Sequence, residues 1–472
     1  MPRLRKLLLA TLVASLVFAA LGSTVLASRG EVTYFEAPAL LLDPSTRPTT
    51  LATLQRLGVR ALRVELRWHD VAPGANSRRK PSFDPSDPAA YHWGQYDALI
   101  EAAHRLDWKI LLTATSPVPR WATAEPRHDS LVTRPSSSQF ERFMTAIGRH
   151  FGADVELFSI WNEPNHHEFL APQFNRNGTP AAPRIYRSLY QAGYAGLQAA
   201  GIARPAVLIG ETAPEGEGRV RAPVSSNARY NMSPLRFLRE TLCLSSSWRR
   251  ARSCGALPTA GWGMHPYPNA AGPLRWPRNR ETISIANLSK LSAALDRAAR
   301  AGALPAHLPI YITEFGIISK PNHYQGVSAT KQAEWDAISE RIAYLNPRVA
   351  SFSQYLLKDD PIRRRSVGFQ TGLEYVTGKP KPLLKGFAVP LVVRRHGGRY
   401  TVWGLVRPAG EATTLTLETQ RRGSRRFSKL AQVRTDPRGY WTLSSTVAAV
   451  RWRVRWLDPS GRVYTGPAIG AN

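Results

Sequence analysis

The chain has 472 residues, 43% of them hydrophobic and 9% aromatic, with 13 Trp, 37 Pro and only 2 Cys. That length and apolar content exclude general disorder, and two cysteines exclude both a disulfide-dense mini-scaffold and a multi-cysteine zinc protein. The formal charge of +29 invites a nucleic-acid reading, but Arg is scattered through every segment rather than gathered on one helix or stripe; this fits a solvated basic surface or attraction to an acidic polymer.

Met1 to Ala27 has the layout of an export signal. Arg3, Arg5 and Lys6 form a charged start, Leu7 to Leu21 an apolar run, and Val25-Leu26-Ala27 a small-residue cleavage site. The mature chain then begins near Ser28; the alternative is an uncleaved anchor over Leu7 to Leu26. No later segment is long and apolar enough to span a bilayer.

Short β-branched or apolar runs then alternate with amphipathic stretches, the pattern of repeated β-α units around a parallel sheet. Eight strands are expected: Val32 to Ala37, Ala61 to Trp68, Lys109 to Ala114, Glu156 to Trp161, Ala206 to Glu211, Gly261 to His265, Ile310 to Glu314 and Ala350 to Leu356. Helices are expected at Tyr96 to Arg105, Gln139 to Phe151, Pro183 to Ala200, Ile283 to Ala301 and Lys331 to Tyr344, with Gly58, Gly201 and Gly302 at helix ends. The fold class is α/β, a (β/α)8 barrel over residues 28–389. In an oxidising compartment Cys243 and Cys254, separated by ten residues, most simply close a loop as a disulfide, with ~2–3 kcal/mol in the chain-entropy model.

From Leu391 helical periodicity disappears. Runs such as Tyr400 to Arg407, Ala412 to Glu418 and Val450 to Trp456 alternate with period two between Gly and Pro turn signals, so residues 390–472 are expected to form a small antiparallel β-sandwich. This segment holds 15 Lys plus Arg against 4 Asp plus Glu. Its Arg451, Arg453 and Arg455 are either a cationic ladder or the solvated side of a strand.

Barrel enzymes place their chemistry at the C-terminal ends of strands. There the fourth run ends in Ile160-Trp161-Asn162-Glu163-Pro164-Asn165 and the seventh in Ile312-Thr313-Glu314-Phe315-Gly316. Two carboxyl groups from opposite sides of a barrel can converge, which is the arrangement glycoside hydrolysis requires: one holds a proton for the leaving oxygen while the other, ionised, attacks the anomeric carbon. These two motifs, with Trp68, Pro117-Val-Pro-Arg-Trp121-Ala122, His265-Pro266-Tyr267 and Gln354-Tyr355 in order between and around them, resemble glycoside hydrolase clan A, in particular families 39 and 5 and exported bacterial relatives. The likeness extends over most of Val32 to Ala388.

The resemblance implies Glu163 as acid/base, Glu314 as nucleophile, Asn162 as the ligand of the sugar 2-hydroxyl, and Tyr267 and Arg63 as donors to the nucleophile, with His265 lining the same subsite. Tyr355 stands where many clan members carry Trp, so the floor of the subsite departs from the pattern. Trp68, Trp121, Trp161 and Trp262 fall near strand ends, where their faces either stack on sugar or pack in the core. Glu211 and Asp359-Asp360 are spare acids near the mouth, suited to polar substrate groups or helix caps.

Metal is not expected. Adjacent residues such as His166 and His167 are expected to point in different directions, and no His-x-His opens the first strand. No nucleotide-binding glycine motif follows a strand, so no cofactor is implied. The expectation is an exported, monomeric, retaining β-glycosidase acting on a polysaccharide or glycoconjugate, without nucleic acid and without a membrane span once the leader is removed. An acidic polysaccharide or the cell envelope is the expected partner of the basic surface. The alternatives are a catalytically silent carbohydrate-binding barrel or an adhesion protein working through the cationic sandwich.

Overall fold

The computed structural model describes residues 28, 30–125, 130–225, 229–363 and 368–472; the expected leader, Met1 to Ala27, lies outside the described residues. Eight parallel strands close into a barrel in chain order: β1 (Val32–Glu36), β2 (Ala61–Arg67), β3 (Lys109–Thr115), β4 (Leu157–Ile160), β5 (Val207–Thr212), β6 (Gly261–Met264), β7 (Ile310–Ile312) and β8 (Val349–Tyr355). The strands read as near-continuous apolar runs because both faces are covered, one by the barrel interior and one by helices.

Alternation along each strand fixes what lies inside. Tyr34, Ala61, Leu111, Leu157 and Leu208 pack as one apolar layer. Two residues further along, Glu36, Arg63 and Thr113 belong to a polar layer above it, joined by hydrogen bonds that run through Glu211. The outward residues of the same strands pack against helices. Helices Ser137–Phe151 and Ala182–Ala199 lie so close that a Cβ on Gly196 would sit 2.2 Å from the Glu141 carbonyl oxygen.

Several segments differ from expectation. Helices Pro234–Thr241 and Pro382–Ala388, both short, were not foreseen; of Arg47–Arg56 only the end at Gly58 was, since it carries no apolar stripe beyond Leu51 and Leu54. The helix expected from Ile283 starts at Leu288, because Ser284 and Asn287 make a reciprocal cap around the preceding turn. Cys243 and Cys254 are joined as a disulfide. No described helix is long and apolar enough to cross a membrane.

Beyond the barrel the chain forms β9 (Leu391–His396), β10 (Arg399–Leu405), β11 (Thr414–Gln420), β12 (Ser428–Arg434), β13 (Tyr440–Ser445), β14 (Arg451–Leu457) and β15 (Val463–Thr465). They pair antiparallel in two sheets, ordered β13-β10-β9 and β12-β11-β14-β15. Val393, Val402, Leu417, Trp441, Trp452 and Val454 fill the space between them. Arg451, Arg453 and Arg455 occupy the opposite face of β14 from Trp452 and Val454, where Arg453 pairs with Glu418 at 2.6 Å and lies over Phe427. They are the outer side of that strand.

This unit docks on helix Ala329–Tyr344 through Val392, Trp403, Leu405 and Tyr440. One buried arginine spans the junction: Arg407 donates to Glu340 Oε1 at 2.6 Å, to the Phe387 carbonyl at 2.9 Å and to Thr33 at the start of β1. The contact lies at the opposite end of the barrel from the strand C-termini. Truncating Arg407 would leave Glu340 buried without its cation, a change costing about 3–5 kcal/mol. Urea unfolding of Arg407→Ala is expected to show a lower midpoint by that equivalent, whereas Arg455→Ala stays within about 0.5 kcal/mol of wild type; equal midpoints for Arg407→Ala and wild type would refute the junction's role.

Candidate active site

The polar layer rises to the C-terminal rim of the barrel and ends in a cleft of about 680 Å³ lined by Glu163, His166, Tyr267, Tyr324, Tyr355 and Phe369, among others. Local backbone turns aim the acids into it. On β4, Leu157 and Ser159 share the inner side, and strict alternation would point Trp161 inward next. Instead Trp161 adopts a left-handed φ of 74° and Glu163 one of 39°. The indole turns outward, edge-on to Phe140 and bonded to the Phe169 carbonyl, while Asn162 turns inward to Arg63. Non-glycine residues rarely take that backbone, and such strain concentrates at functional sites. A similar irregularity on β5, with φ of 109° at Gly210 and 43° at Glu211, brings Glu211 into the barrel. Gly263 on β6 makes room for it: a Cβ there would lie 2.6 Å from the Glu211 side chain.

Arg63 is the hub. Its Nη1 donates to Glu36 at 2.6 Å and to Glu314 at 3.2 Å; its Nη2 donates to Asn162 Oδ1 at 2.7 Å, Glu211 at 2.8 Å and Glu65 at 3.2 Å. Thr113 adds a hydroxyl to Glu211 at 3.1 Å. One buried cation cannot offset four carboxylates in a medium of low dielectric, so part of the cluster holds protons. Burial pushes Glu36 well above the usual carboxylate range and also raises Glu65, against the pull of Arg63.

The two acids at the rim are in different surroundings. Oxygens of Glu163 and Glu314 lie within 4.8 Å of each other, with His265 in the same group. Glu314 accepts from Tyr267 Oη at 2.7 Å and from Arg63. Burial raises its pKa, opposed by His265 and Arg63. Among the described residues the Glu163 carboxyl has His265 as its one hydrogen-bond partner, whose Nδ1 stands 3.0 Å from Oε1, while His166 and Arg63 pull its pKa down less directly. Burial pushes Glu163 up to about 7, so it holds a proton near neutrality. Burial also lowers His265 to about 4, leaving a neutral imidazole, and holds the Tyr267 phenol in its protonated, donating form. Asn162 is fixed by its backbone bond to Thr115 Oγ1 at 3.0 Å and by Arg63; its amide nitrogen bonds no protein atom among the described residues.

Thus the structure brings together Glu163, Glu314, Asn162, Arg63, His265 and Tyr267, with Tyr355 on the wall of the cleft. It does not bring the tryptophans there. Trp68, Trp161 and Trp262 are fully buried, and Trp121 nearly so. Trp68 follows Leu62, Val64 and Leu66 on the outer face of β2 and stacks on Phe143 at 5.0 Å. Trp262 is the outward neighbour of Gly263, and Trp121 meets Trp68 and Phe83 edge-on. All four are core residues, and the expected sugar-stacking role of Trp68, Trp121 and Trp161 is withdrawn for that reason. Beside the half-buried Tyr267 and Tyr355, the exposed aromatic faces of the cleft are Tyr324 and Phe369, which lie on loops beyond any periodic pattern.

The spare acids also resolve differently. Glu211 is an internal partner of Arg63 rather than a substrate or cap residue, and Asp359 is buried against Lys381 Nζ at 2.6 Å; only Asp360 reaches the cleft. Glu36 and Glu65 were overlooked, although an acid breaking the apolar run of β1 and the Arg63-x-Glu65 spacing on β2 were visible signals. Among the described residues two groups have donor atoms close enough for a cation, Glu163-His265-Glu314 and Glu36-Glu65-Glu314. In the second, Arg63 already supplies positive charge to all three acids. His166 and His167 stack on each other, and His167 is bonded to Asn231.

No protein-family model matches the chain, and no curated protein matches it. Solved structures share its fold. A family 39 glycoside hydrolase from Bacteroides cellulosilyticus WH2 superimposes with a TM-score of 0.50 at 16% identity, over 88% of this chain and 79% of that one. A glucosidase from Croceicoccus marinus superimposes with a TM-score of 0.52 at 12% identity, over 90% and 94%. At these identities the likeness is one of architecture: an eight-stranded parallel barrel followed by antiparallel sheets, the fold expected from the sequence.

Proposed function

We propose that this chain is a retaining β-glycoside hydrolase acting on a polysaccharide or glycoconjugate, with residues 28–389 carrying the chemistry and residues 390–472 an accessory unit. The observation that carries the reading is the closeness of Glu163 and Glu314, whose oxygens lie within 4.8 Å. Retention needs carboxyl groups about 5–5.5 Å apart, because the second acid must touch the anomeric carbon itself, whereas inversion needs room for a water between. The unequal surroundings assign the roles. Glu314, served by Tyr267 and Arg63, is the nucleophile; Glu163, desolvated and near pKa 7, is the acid.

In the first step a Glu314 oxygen attacks the anomeric carbon, the bond from that carbon to the leaving oxygen breaks, and Glu163 transfers its proton to that oxygen. In the second, Glu163 as carboxylate takes a proton from water, the water oxygen bonds to the anomeric carbon, and the ester to Glu314 breaks. Asn162, immobilised by Arg63 and Thr115, offers its free amide N–H to the sugar 2-hydroxyl, a contact that tightens as the transition state gains charge. Tyr267 and Arg63 stabilise Glu314 again as it leaves. Export belongs to the same reading, supported by the disulfide and the leader-like first 27 residues.

Treatment with mechanism-based 2-fluoro glycosides of several sugars, followed by peptide mapping, is expected to label Glu314 alone; Glu314→Ala neither reacts nor hydrolyses aryl β-glycosides. Label on another residue overturns the assignment. The pH profile follows from the signs: Glu163 works in its protonated form, so kcat/KM falls as pH rises through about 7, and the acidic limb belongs to ionisation of Glu314. In Glu163→Gln, an aryl glycoside with an activated leaving group, which needs no proton, is expected to lose the alkaline limb. Natural-type substrates fall by about 10²–10⁴-fold. A persisting alkaline limb in that variant would assign the acid elsewhere.

A further inference from the structure

The cleft does not stop at the catalytic pair. Through Glu215, Asn231 and Asn269 it runs into a second recess of about 980 Å³. Each half falls in the range of ~300–1,000 Å³ that encloses a ligand larger than one sugar. The walls of the second half are the loops that follow β5 and β6.

Two features of this arm are unusual on the molecule. Its exposed aromatic rings follow one path: Tyr324 (72% exposed) and Phe369 (40%) in the cleft, then Trp276 (65%) and Tyr230 (41%) in the recess. Flat apolar faces left in water mark a binding surface, and rings of this kind stack on the C–H faces of sugars. The second feature is charge. Arg229, Arg275 and Arg278 line the recess, and among the described residues none forms an ion pair, nor do Glu215 and Glu217, which line it too. The buried arginines behave differently: Arg63 and Arg407 each hold carboxylates at 2.6 Å. Carboxylates serve neutral sugar hydroxyls as acceptors, whereas a guanidinium has only donors, in a fork that fits a carboxylate or sulfate with two parallel bonds.

We propose that this arm is the leaving-group side of the substrate groove and that it binds an anionic sugar unit, carboxylate- or sulfate-bearing, of a β-linked polysaccharide. Arg275 and Arg278 grip the anion and Trp276, between them in sequence, stacks on the ring. The proposal rests on the glycosidase reading for its direction: the leaving group departs past the proton donor, and Glu163 lines the cleft into which the arm opens at Glu215, Asn231 and Asn269. It narrows the substrate to acidic polysaccharides, because the units beyond the scissile bond must occupy an arm lined by arginines. It also gives part of the basic surface a specific task, separate from its general attraction for polyanions.

Affinity is measured on the full chain carrying Glu314→Gln, so that bound polymer stays intact. The probes are glucuronoxylan and 6-carboxyl β-glucan, the same two polymers after carboxyl reduction, and sulfated forms of the reduced polymers. Tighter binding of the charged forms than of the reduced ones is expected, the carboxylated and sulfated arms telling which anion fits. Adding Arg275→Ala and Arg278→Ala is expected to weaken charged-polymer binding by roughly tenfold or more, the loss of at least one charge-assisted contact. Arg451→Ala with Arg455→Ala removes the same charge from β14 and leaves affinity within about twofold.

Equal binding of charged and reduced polymers, or equal loss in the two double variants, overturns the proposal and reduces the effect to net charge. The 2-fluoro labelling of Glu314 decides the glycosidase reading separately. Label without charge selectivity leaves an enzyme for neutral glycans; selectivity without label leaves a groove for acidic glycans that does not cleave them.

Discussion

A single guanidinium, sealed inside the barrel, organises this protein. Arg63 bonds residues contributed by β1, β2 and β5 and by the segments that follow β4 and β7, so that five of the eight repeats are tied at one point. A buried cation needs compensating acceptors, and here five oxygens surround the two terminal nitrogens, while Nε has no partner among the described residues. The constraint works in both directions. Arg63 holds the acids in place, and the excess of carboxylates over cations sets which of them keep protons.

That imbalance separates the two rim acids. Both suffer burial, but Glu314 is in direct contact with Arg63 and Tyr267, while Glu163 has a neutral imidazole for a neighbour. The same desolvation therefore yields one group whose anion is supported and another that keeps its proton to about pH 7. The asymmetry of the two acids arises from wiring beneath the cleft, since the two side chains are chemically identical.

The rest of the molecule divides between holding that layer and extending it. Tyr34, Ala61, Leu111, Leu157 and Leu208 floor the polar layer with hydrocarbon, and tryptophans on the outer faces of β2 and β6 pin strands to helices. At the far end, Arg407 and Glu340 join the antiparallel sheets to the barrel by another buried ion pair. Around the rim, the loops after β5 and β6 and the residues near Tyr324 and Phe369 build the walls of the groove.

The eight strands were legible because alternating apolar runs and amphipathic stretches report burial locally, residue by residue. Glu163, Glu314, Asn162, His265 and Tyr267 were legible because they follow strand ends in recognisable motifs. The tryptophans misled: the parity of β2, with Arg63 inward and Trp68 five positions on, already implied an outward indole. Trp161 required the left-handed turn that no periodicity announces. Glu36, Glu65 and Glu211 acquire their meaning from Arg63, and the aromatic and arginine arm from loops far apart in the chain. The sequence by itself determined the barrel, the following sheets and the identity of the two rim acids, since these depend on short-range pattern. Only tertiary structure decided how the protons are shared and where the groove leads, since both depend on which distant charges and rings closure of the barrel sets side by side.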